Sequence, residues 1–239
     1  MKRGWLLLGT GATALFMLLL MSFGQRRYAR IPWQETQLYW ENEPKETFLT
    51  GRQVREAVGQ MYPTLEGKLM EEINMALLEE KLENHPSIKR VEVFSKLEGK
   101  LCIRIWQHQP LARVHSQGQR YYLLEGGGHM PLSPHYAARV PLITGALPDS
   151  LQKPMAQLIS YLQKDAFYRG FFTGLHLENP RDVRLYPRDF SQHIYLGGLQ
   201  GYPEKLEKLR LFYQTIYADS PPKDITRIDL RYDDQVVCQ

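Results

Sequence analysis

The chain has 239 residues, a length that suits one or two domains. At 43% hydrophobic, 11% aromatic and 23% charged, its composition is that of a folded protein and excludes bulk disorder. The net charge of +4 is mild and no dense Lys/Arg run occurs, so nucleic-acid binding is not indicated; two cysteines with no CxxC and no Cys/His cluster at zinc spacing indicate no structural metal site.

Residues 4–24 form an apolar run of 21 residues with no charge and no proline. As a helix it reaches about 30 Å, the thickness of a bilayer's hydrocarbon core. The run exceeds the apolar core of a cleaved signal, and Ser22-Phe23-Gly24-Gln25-Arg26-Arg27 is a poor cleavage site. The expectation is a retained transmembrane anchor. Lys2 and Arg3 on one side nearly balance Arg26, Arg27 and Arg30 on the other, so the charges leave its orientation open. Residues 25–36 read as a polar juxtamembrane linker.

Leu38–Glu41 reads as a strand. Thr50-Gly51-Arg52-Gln53 fits a capping box, in which the Thr hydroxyl and the Gln side chain satisfy each other's backbone N–H. Val54, Ala57, Val58 and Met61 then follow at helical spacing, and Pro63 ends the helix. A second helix is predicted over Glu71–Glu83, with Ile73, Leu77, Leu78 and Leu82 as its apolar stripe, stopped by His85-Pro86. Ile88–Phe94 reads as a strand and Lys96–Gly99 as a turn. Leu101, Ile103 and Ile105 alternate with Cys102, Arg104 and Trp106 in a second strand. The order β-α-α-β-β implies a small sheet carrying two helices on one face, an α+β unit.

Beyond residue 109 the pattern changes. Tyr121–Leu124 reads as a strand, Gly126–Gly128 as a turn, and Met130–Leu132 and Arg139–Ile143 as short, proline-marked extended pieces. A helix over Leu151–Tyr168 would bury Met155, Leu158, Ile159 and Leu162. Strands follow at Gly174–Glu178, Val183–Tyr186 and His193–Leu196. Pro203 suits the first turn of a helix reaching Ala218, with Leu206, Leu209, Phe212, Tyr213 and Ile216 on its face. After Ser220-Pro221-Pro222 come a strand at Ile225–Tyr232, a turn at Asp233-Asp234, and Val236-Val237.

Catalytic motifs are missing. There is no G-x-S-x-G, no H-E-x-x-H and no phosphate loop. His129 and His135 flank Pro131 and read as polar loop residues; an anchored enzyme built on them is the least favoured reading. Gly126–Gly128 has no helix opening directly behind it and makes a poor anion cradle. Neither a catalytic set, a cofactor site, a metal site nor a small-molecule substrate site is predicted.

Several runs together resemble the FtsQ/DivIB family of bacterial cell-division proteins, over nearly the whole chain. Leu82-Glu83-Asn84-His85-Pro86-Ser87-Ile88 through Val93 is similar to the family's helix end and first hairpin strand. Leu101–Ile105 with Gln109-Pro110-Leu111-Ala112 is similar to its L-x-I-x-V-x-E-x-x-P-x-A run. Arg139–Gly145 is similar to its L-P-x-L-x-G segment, and Ile228-Asp229-Leu230-Arg231-Tyr232 to V-D-L-R-Y-x-N-G. His108-Gln109 stands at the family's Glu, and Gln235 at the glycine after the last motif.

The resemblance implies an α+β architecture: a cytoplasmic tail at 1–3, a transmembrane helix at 4–24, a linker at 25–36, a POTRA domain at 37–108 and a C-terminal β domain at 109–239 with a largely antiparallel sheet. It also implies an N-terminus in the cytoplasm, the bulk of the chain outside the inner membrane at the division septum, and a non-catalytic scaffold role. The implied partners are FtsB-like and FtsL-like single-span proteins, with an FtsB strand adding to the C-terminal sheet edge. By residue matching, Arg231 would pair with an acidic partner residue, Tyr232 would pack on the partner, and Gln235, Val236 and Val237 would present the open edge. Arg181 matches a second basic contact of the family more loosely. The alternative reading is another POTRA-bearing envelope assembly or secretion component; no tandem POTRA units or barrel are visible in the sequence.

Overall fold

A computed structural model describes residues 16–17, 31–41, 48–217, 225–233 and 235–239. The anchor at 4–24 (Phe16 and Met17 apart), the tail at 1–3, residues 25–30 of the linker, Ser220-Pro221-Pro222 and Asp234 lie outside the described residues. Among the described residues no helix is long and apolar enough to cross a membrane. The chain divides into two compact units, with the break between Gln107 and His108.

In the first unit, strand β1 (Glu35–Trp40) is followed by helices α1 (Gly51–Met61) and α2 (Met75–Glu83), then by strands β2 (Ile88–Lys96) and β3 (Lys100–Gln107). The sheet order is β1-β3-β2; β1 lies parallel to β3 and β2 antiparallel to it. β3 takes the centre because its alternate residues Leu101, Ile103 and Ile105 are wholly apolar, and all three are 0% exposed. Val54 and Val58 of α1 and Leu78 and Leu82 of α2 close the core over it.

The capping box forms as read. Gln53 N–H donates to Thr50 Oγ1 at 3.3 Å, and Thr50 N–H donates to Gln53 Oε1 at 2.9 Å. The second helix starts later than predicted. Met70–Glu72 make only a 3-10 turn, and Asn74 then caps α2, accepting Leu77 N–H at 3.0 Å. Asn competes for backbone donors at this point and resets the helical phase, so Leu77 turns outward and is 38% exposed. His85 follows the helix end, where a charged imidazole would suit the dipole. Burial instead lowers its pKa, and its Nδ1 accepts Ser87 N–H at 3.2 Å.

The second unit is one nine-stranded mixed sheet. Its strands are β4 (Ala112–Ser116), β5 (Gln119–Leu123), β6 (His129–Pro131), β7 (Leu142–Gly145), β8 (Phe172–Asn179), β9 (Asp182–Pro187), β10 (His193–Gly197), β11 (Arg227–Asp229) and β12 (Val237–Cys238). The order is β12-β11-β10-β9-β8-β7-β4-β5-β6. Parallel pairing joins β4 to β7, β7 to β8 and β10 to β11; the other neighbours are antiparallel. Helices α3 (Asp149–Lys164) and α4 (Tyr202–Phe212) supply Met155, Leu158, Leu206 and Leu209 to the same core as Leu175, Leu185 and Ile194 of the sheet.

β4 was not predicted. Its turn to β5 is Gln117-Gly118, with φ of 49° and 81°, the two left-handed residues of a tight hairpin. Asn-Gly or Asp-Gly normally advertises such a turn. Helix α3 ends four residues before the predicted Tyr168, because the Asp165 carboxylate takes the N–H groups of Phe167 at 2.9 Å and Tyr168 at 3.2 Å. Past Phe212, α4 loosens into a wider π-type turn over Tyr213–Tyr217. There Thr215 Oγ1 donates back to Leu211 O at 2.6 Å. The side chain of Ile216 lies outside the described residues.

Gly145 closes β7 at φ 90°, and a Cβ there would sit 2.0 Å from Leu177 O. Only glycine permits this close approach of β7 to β8. The Gly126–Gly128 run lies against the first half of α3 near Gln152 and Lys153, a packing role rather than an anion cradle.

Candidate functional site

The sheet ends differently at its two edges. Outer strand β6 carries Pro131, which has no N–H to offer, and its His129 is held between the Tyr121 ring (centroids 4.0 Å apart) and Gln152. The other edge is β12. It pairs with β11 in the register Ile228↔Cys238 and Asp229↔Val237. Gln239 N–H donates to Arg227 O at 3.0 Å, and Arg227 N–H donates to Gln239 O at 2.9 Å. That double bond fixes the alternation: Val237 and Gln239 direct their backbone groups at β11, while Val236 and Cys238 direct theirs at the open side. Of the three residues expected to present the edge, Val236 has its backbone groups directed at the open side, as does Cys238. Val237 instead belongs to the internal ladder.

The predicted strand Ile225–Tyr232 is shorter than expected. The ladder covers Arg227–Asp229, and Leu230 N–H turns back to Tyr195 O at 2.9 Å. Ile228 and Leu230 are fully buried, but Asp229 is only 3% exposed, whereas Tyr232 leaves the alternation and is 49% exposed. Lys208 of α4 clamps the turn by donating its ammonium to Tyr232 O, and to Asp233 O at 2.8 Å. Tyr232 therefore stands on a fixed backbone with its ring in solvent.

Arg231 is engaged within the chain. Its Nε donates to Asp229 Oδ1 at 2.8 Å and its Nη2 to Oδ2 at 2.5 Å, while Arg227 Nη2 donates to Oδ2 at 2.8 Å. Burial would raise the Asp229 carboxyl, but hydrogen bonds from Arg231 and Arg227 outweigh it and pull it down to about 2. The guanidiniums of Arg227, Arg184 and Arg231 lie 4.0, 5.0 and 5.8 Å from the Tyr195 ring centroid. One carboxylate thus holds two arginines beside the open edge.

Gly197 makes room for this cluster: a Cβ there would meet Arg231 Cγ at 2.8 Å and lie 3.8 Å from Arg181 O. Arg181, at the β8–β9 turn, is exposed, and its N–H donates to Asn179 Oδ1 at 2.9 Å. Gln235 is exposed, and Val236 is half-buried against a groove of 340 Å³ that Leu211, Phe212 and Cys238 also line. Sequence reasoning passed over Asp229, Lys208 and Leu211. The signal for Asp229 was present in the i, i+2, i+4 spacing of Arg227, Asp229 and Arg231, which puts one acid between two bases on one face.

Residues 109–239 match the family model described as FtsQ/DivIB, C-terminal related, over more than half of the chain. The chain belongs to the FtsQ/DivIB family. Residues 34–106 match a POTRA-like domain model, so this FtsQ/DivIB chain carries a POTRA-like unit ahead of its sheet-rich C-terminal unit. A relative named cell division protein FtsQ, from Salinibacter ruber (strain DSM 13855 / M31), is 28% identical over 186 residues, covering 72% of this chain and 71% of its own. The major extracytoplasmic domain of the trans isomer of the cell division protein DivIB from Geobacillus stearothermophilus aligns over 48% of this chain and 94% of its own, at 19% identity and a TM-score of 0.34. The assignment does not rest on that last likeness. The chain is thus a member of a cell-division family, with its sheet edge β12, Tyr232 and the arginine cluster gathered in the family-matched unit.

The two remaining histidine candidates stay apart from that edge. His129 is committed as described, and His135 N–H donates to Ser133 Oγ at 3.2 Å. Among the described residues no three His, Cys, Asp or Glu side chains gather to hold a metal. Cys102 is buried in the first unit, and burial raises the pKa of the Cys238 thiol.

Proposed function

We propose that this chain is a non-catalytic, single-span scaffold of the bacterial divisome. In this reading residues 4–24 cross the inner membrane with the N-terminus in the cytoplasm. The domains then follow as 37–108 and 109–239 outside it, at the division septum. FtsB-like and FtsL-like partners dock on the C-terminal sheet edge, where a partner strand pairs with β12. The single observation that carries the reading is an edge strand, unpaired on its outer side among the described residues, at the end of the sheet in the unit that matches the FtsQ/DivIB family. An added strand would satisfy the outward N–H and C=O groups of Val236 and Cys238.

Side chains around the edge supply the specificity. Tyr232 offers an exposed ring on a clamped backbone, at a small cost in ordering on binding. Arg231 offers its remaining guanidinium face and Arg181 its free reach to an acidic partner residue. Gln235 borders the edge, and the Leu211–Val236 groove accepts an apolar side chain from the partner. Val237 contributes through the β11 ladder that holds β12 in place.

Depletion of the protein in its native bacterium tests the role: filaments without septa are expected, and normal division would defeat it. Co-purification of the full-length chain with FtsB-like and FtsL-like proteins tests the surface. Undiminished recovery after Tyr232→Ala combined with deletion of Val236–Gln239 would remove this edge as the docking site.

A further inference from the structure

The first unit has an outer strand of its own, β2, and it is closed in an unusual way. Arg90, Glu92 and Phe94 of β2 stand opposite Trp106, Arg104 and Cys102 of β3. The amides of Val91 and Val93 point the other way, to the edge. Neither is left to water. Val91 N–H donates to Glu83 Oε1 at 3.0 Å, and Val93 N–H donates to Glu79 Oε1 at 2.6 Å. Both acceptors come from α2.

The match is metric. Residues four apart on a helix are separated by about 6 Å along its axis, and residues two apart on a strand by about 6.7 Å. α2 runs against β2, so the earlier glutamate meets the later valine. Two carboxylates therefore occupy the row of donors that the carbonyls of an added strand would take, and their charge repels those carbonyls.

We propose that Glu79 and Glu83 form a latch that keeps β2 from pairing with β2 of a second copy of this chain. The strand's own sequence argues for that occupant. In antiparallel pairing centred on Val91, Arg90 of each copy faces Glu92 of the other, twice over, and Val91 faces Val91. Centring on Glu92 instead would oppose two like charges, so the complementary register is singled out. Arg90 and Glu92 already bond each other on the open face of the sheet, where their side chains are 62% and 32% exposed. Self-pairing exchanges that contact for two crossed ones, while Arg104 Nη1 of β3 donates to Glu92 Oε2 at 3.1 Å in each copy. The bulge between Ile88 and Arg90 keeps the paired stretch short, which suits an interaction that two side chains can hold off.

The test uses the full-length chain in detergent micelles, followed by sedimentation velocity and by amide exchange. Glu79→Ala with Glu83→Ala preserves helix propensity and removes both acceptors. The expected result is a dimer at least tenfold tighter than that of the unaltered chain. Adding Arg90→Glu to the double variant should return it to the unaltered chain's behaviour. Glu79→Gln with Glu83→Gln keeps a carbonyl acceptor at each site but not the charge, and should associate more weakly than the double alanine variant. A double alanine variant with unchanged circular dichroism that stays monomeric overturns the proposal, whatever the exchange rates of Val91 and Val93. So does a dimer indifferent to Arg90→Glu. If the double variant loses its fold, Glu83→Ala alone carries the same test with the same outcomes.

Discussion

Asp229→Asn probes the arginine cluster that supports the candidate docking edge. The carboxyl is depressed from 3.8 to about 2, and one unit is worth about 1.4 kcal/mol, so its ionised form contributes about 2 kcal/mol to the folded state. Breaking a fully buried pair costs about 3–5 kcal/mol. Here the Arg227 and Arg231 side chains are 33% and 43% exposed and can return to water, so the lower figure applies. The loss falls on the β11–β12 hairpin. It should appear as about thirtyfold faster exchange of the Arg227 and Gln239 amides, whose carbonyl partners close that ladder.

The sign with pH follows from the depression. The stabilisation is complete above about pH 4, where the unfolded carboxyl is also ionised, and it is lost as pH falls through about 2. The difference between the unaltered chain and Asp229→Asn should therefore be large at pH 7 and close near pH 2. Equal exchange rates at pH 7, or a gap of the same size at pH 2, would refute the reasoning.

Three further substitutions separate stability from docking. Gly145→Ala forces a Cβ toward Leu177 O at φ 90° and should cost about 3 kcal/mol in the second unit, read by chemical denaturation. Thr50→Ala removes the α1 cap and should cost about 1 kcal/mol in the first unit, read the same way. Tyr232→Ala should change stability by less than about 0.5 kcal/mol, because the ring is exposed. It should weaken co-purification with the proposed FtsB-like partner at least tenfold.

The β-α-α-β-β order of the first unit was legible because its signals are local: the Thr50 box, the proline stops and the clean alternation of Leu101, Ile103 and Ile105. What escaped depended on competition or on tertiary context. Asn74 reset the phase of α2 because its side chain and Tyr62 took backbone donors that a continuous helix would have used: Asn74 Oδ1 accepts Leu77 N–H at 3.0 Å and Tyr62 OH accepts Asn74 N–H at 2.8 Å. β4 hid behind Gln117-Gly118, a turn of the right geometry with unusual residues. At the candidate site Tyr232 and Val236 were named from a motif and are found beside the open edge. The motif did not show that Asp229 already holds Arg231, because the spacing gives which face a residue takes and not which partner it finds there. Nor did it show that the backbone groups of Val237 point at β11 while those of Cys238 point to the open side. That depends on the register with β11, which a chain crossing from β10 through α4 sets at long range.

The register also shows where a single N–H can be removed from the open side of β12. Proline at Val236 or Cys238 removes an N–H aimed at the open side and leaves the β11 ladder its donors. The full-length chain carrying Val236→Pro or Cys238→Pro would be titrated with the extracytoplasmic part of the FtsB-like protein by calorimetry. Binding should fall at least a hundredfold in both variants while the amides of Arg227 and Gln239 stay protected. Unchanged affinity with that protection intact would contradict strand addition at β12.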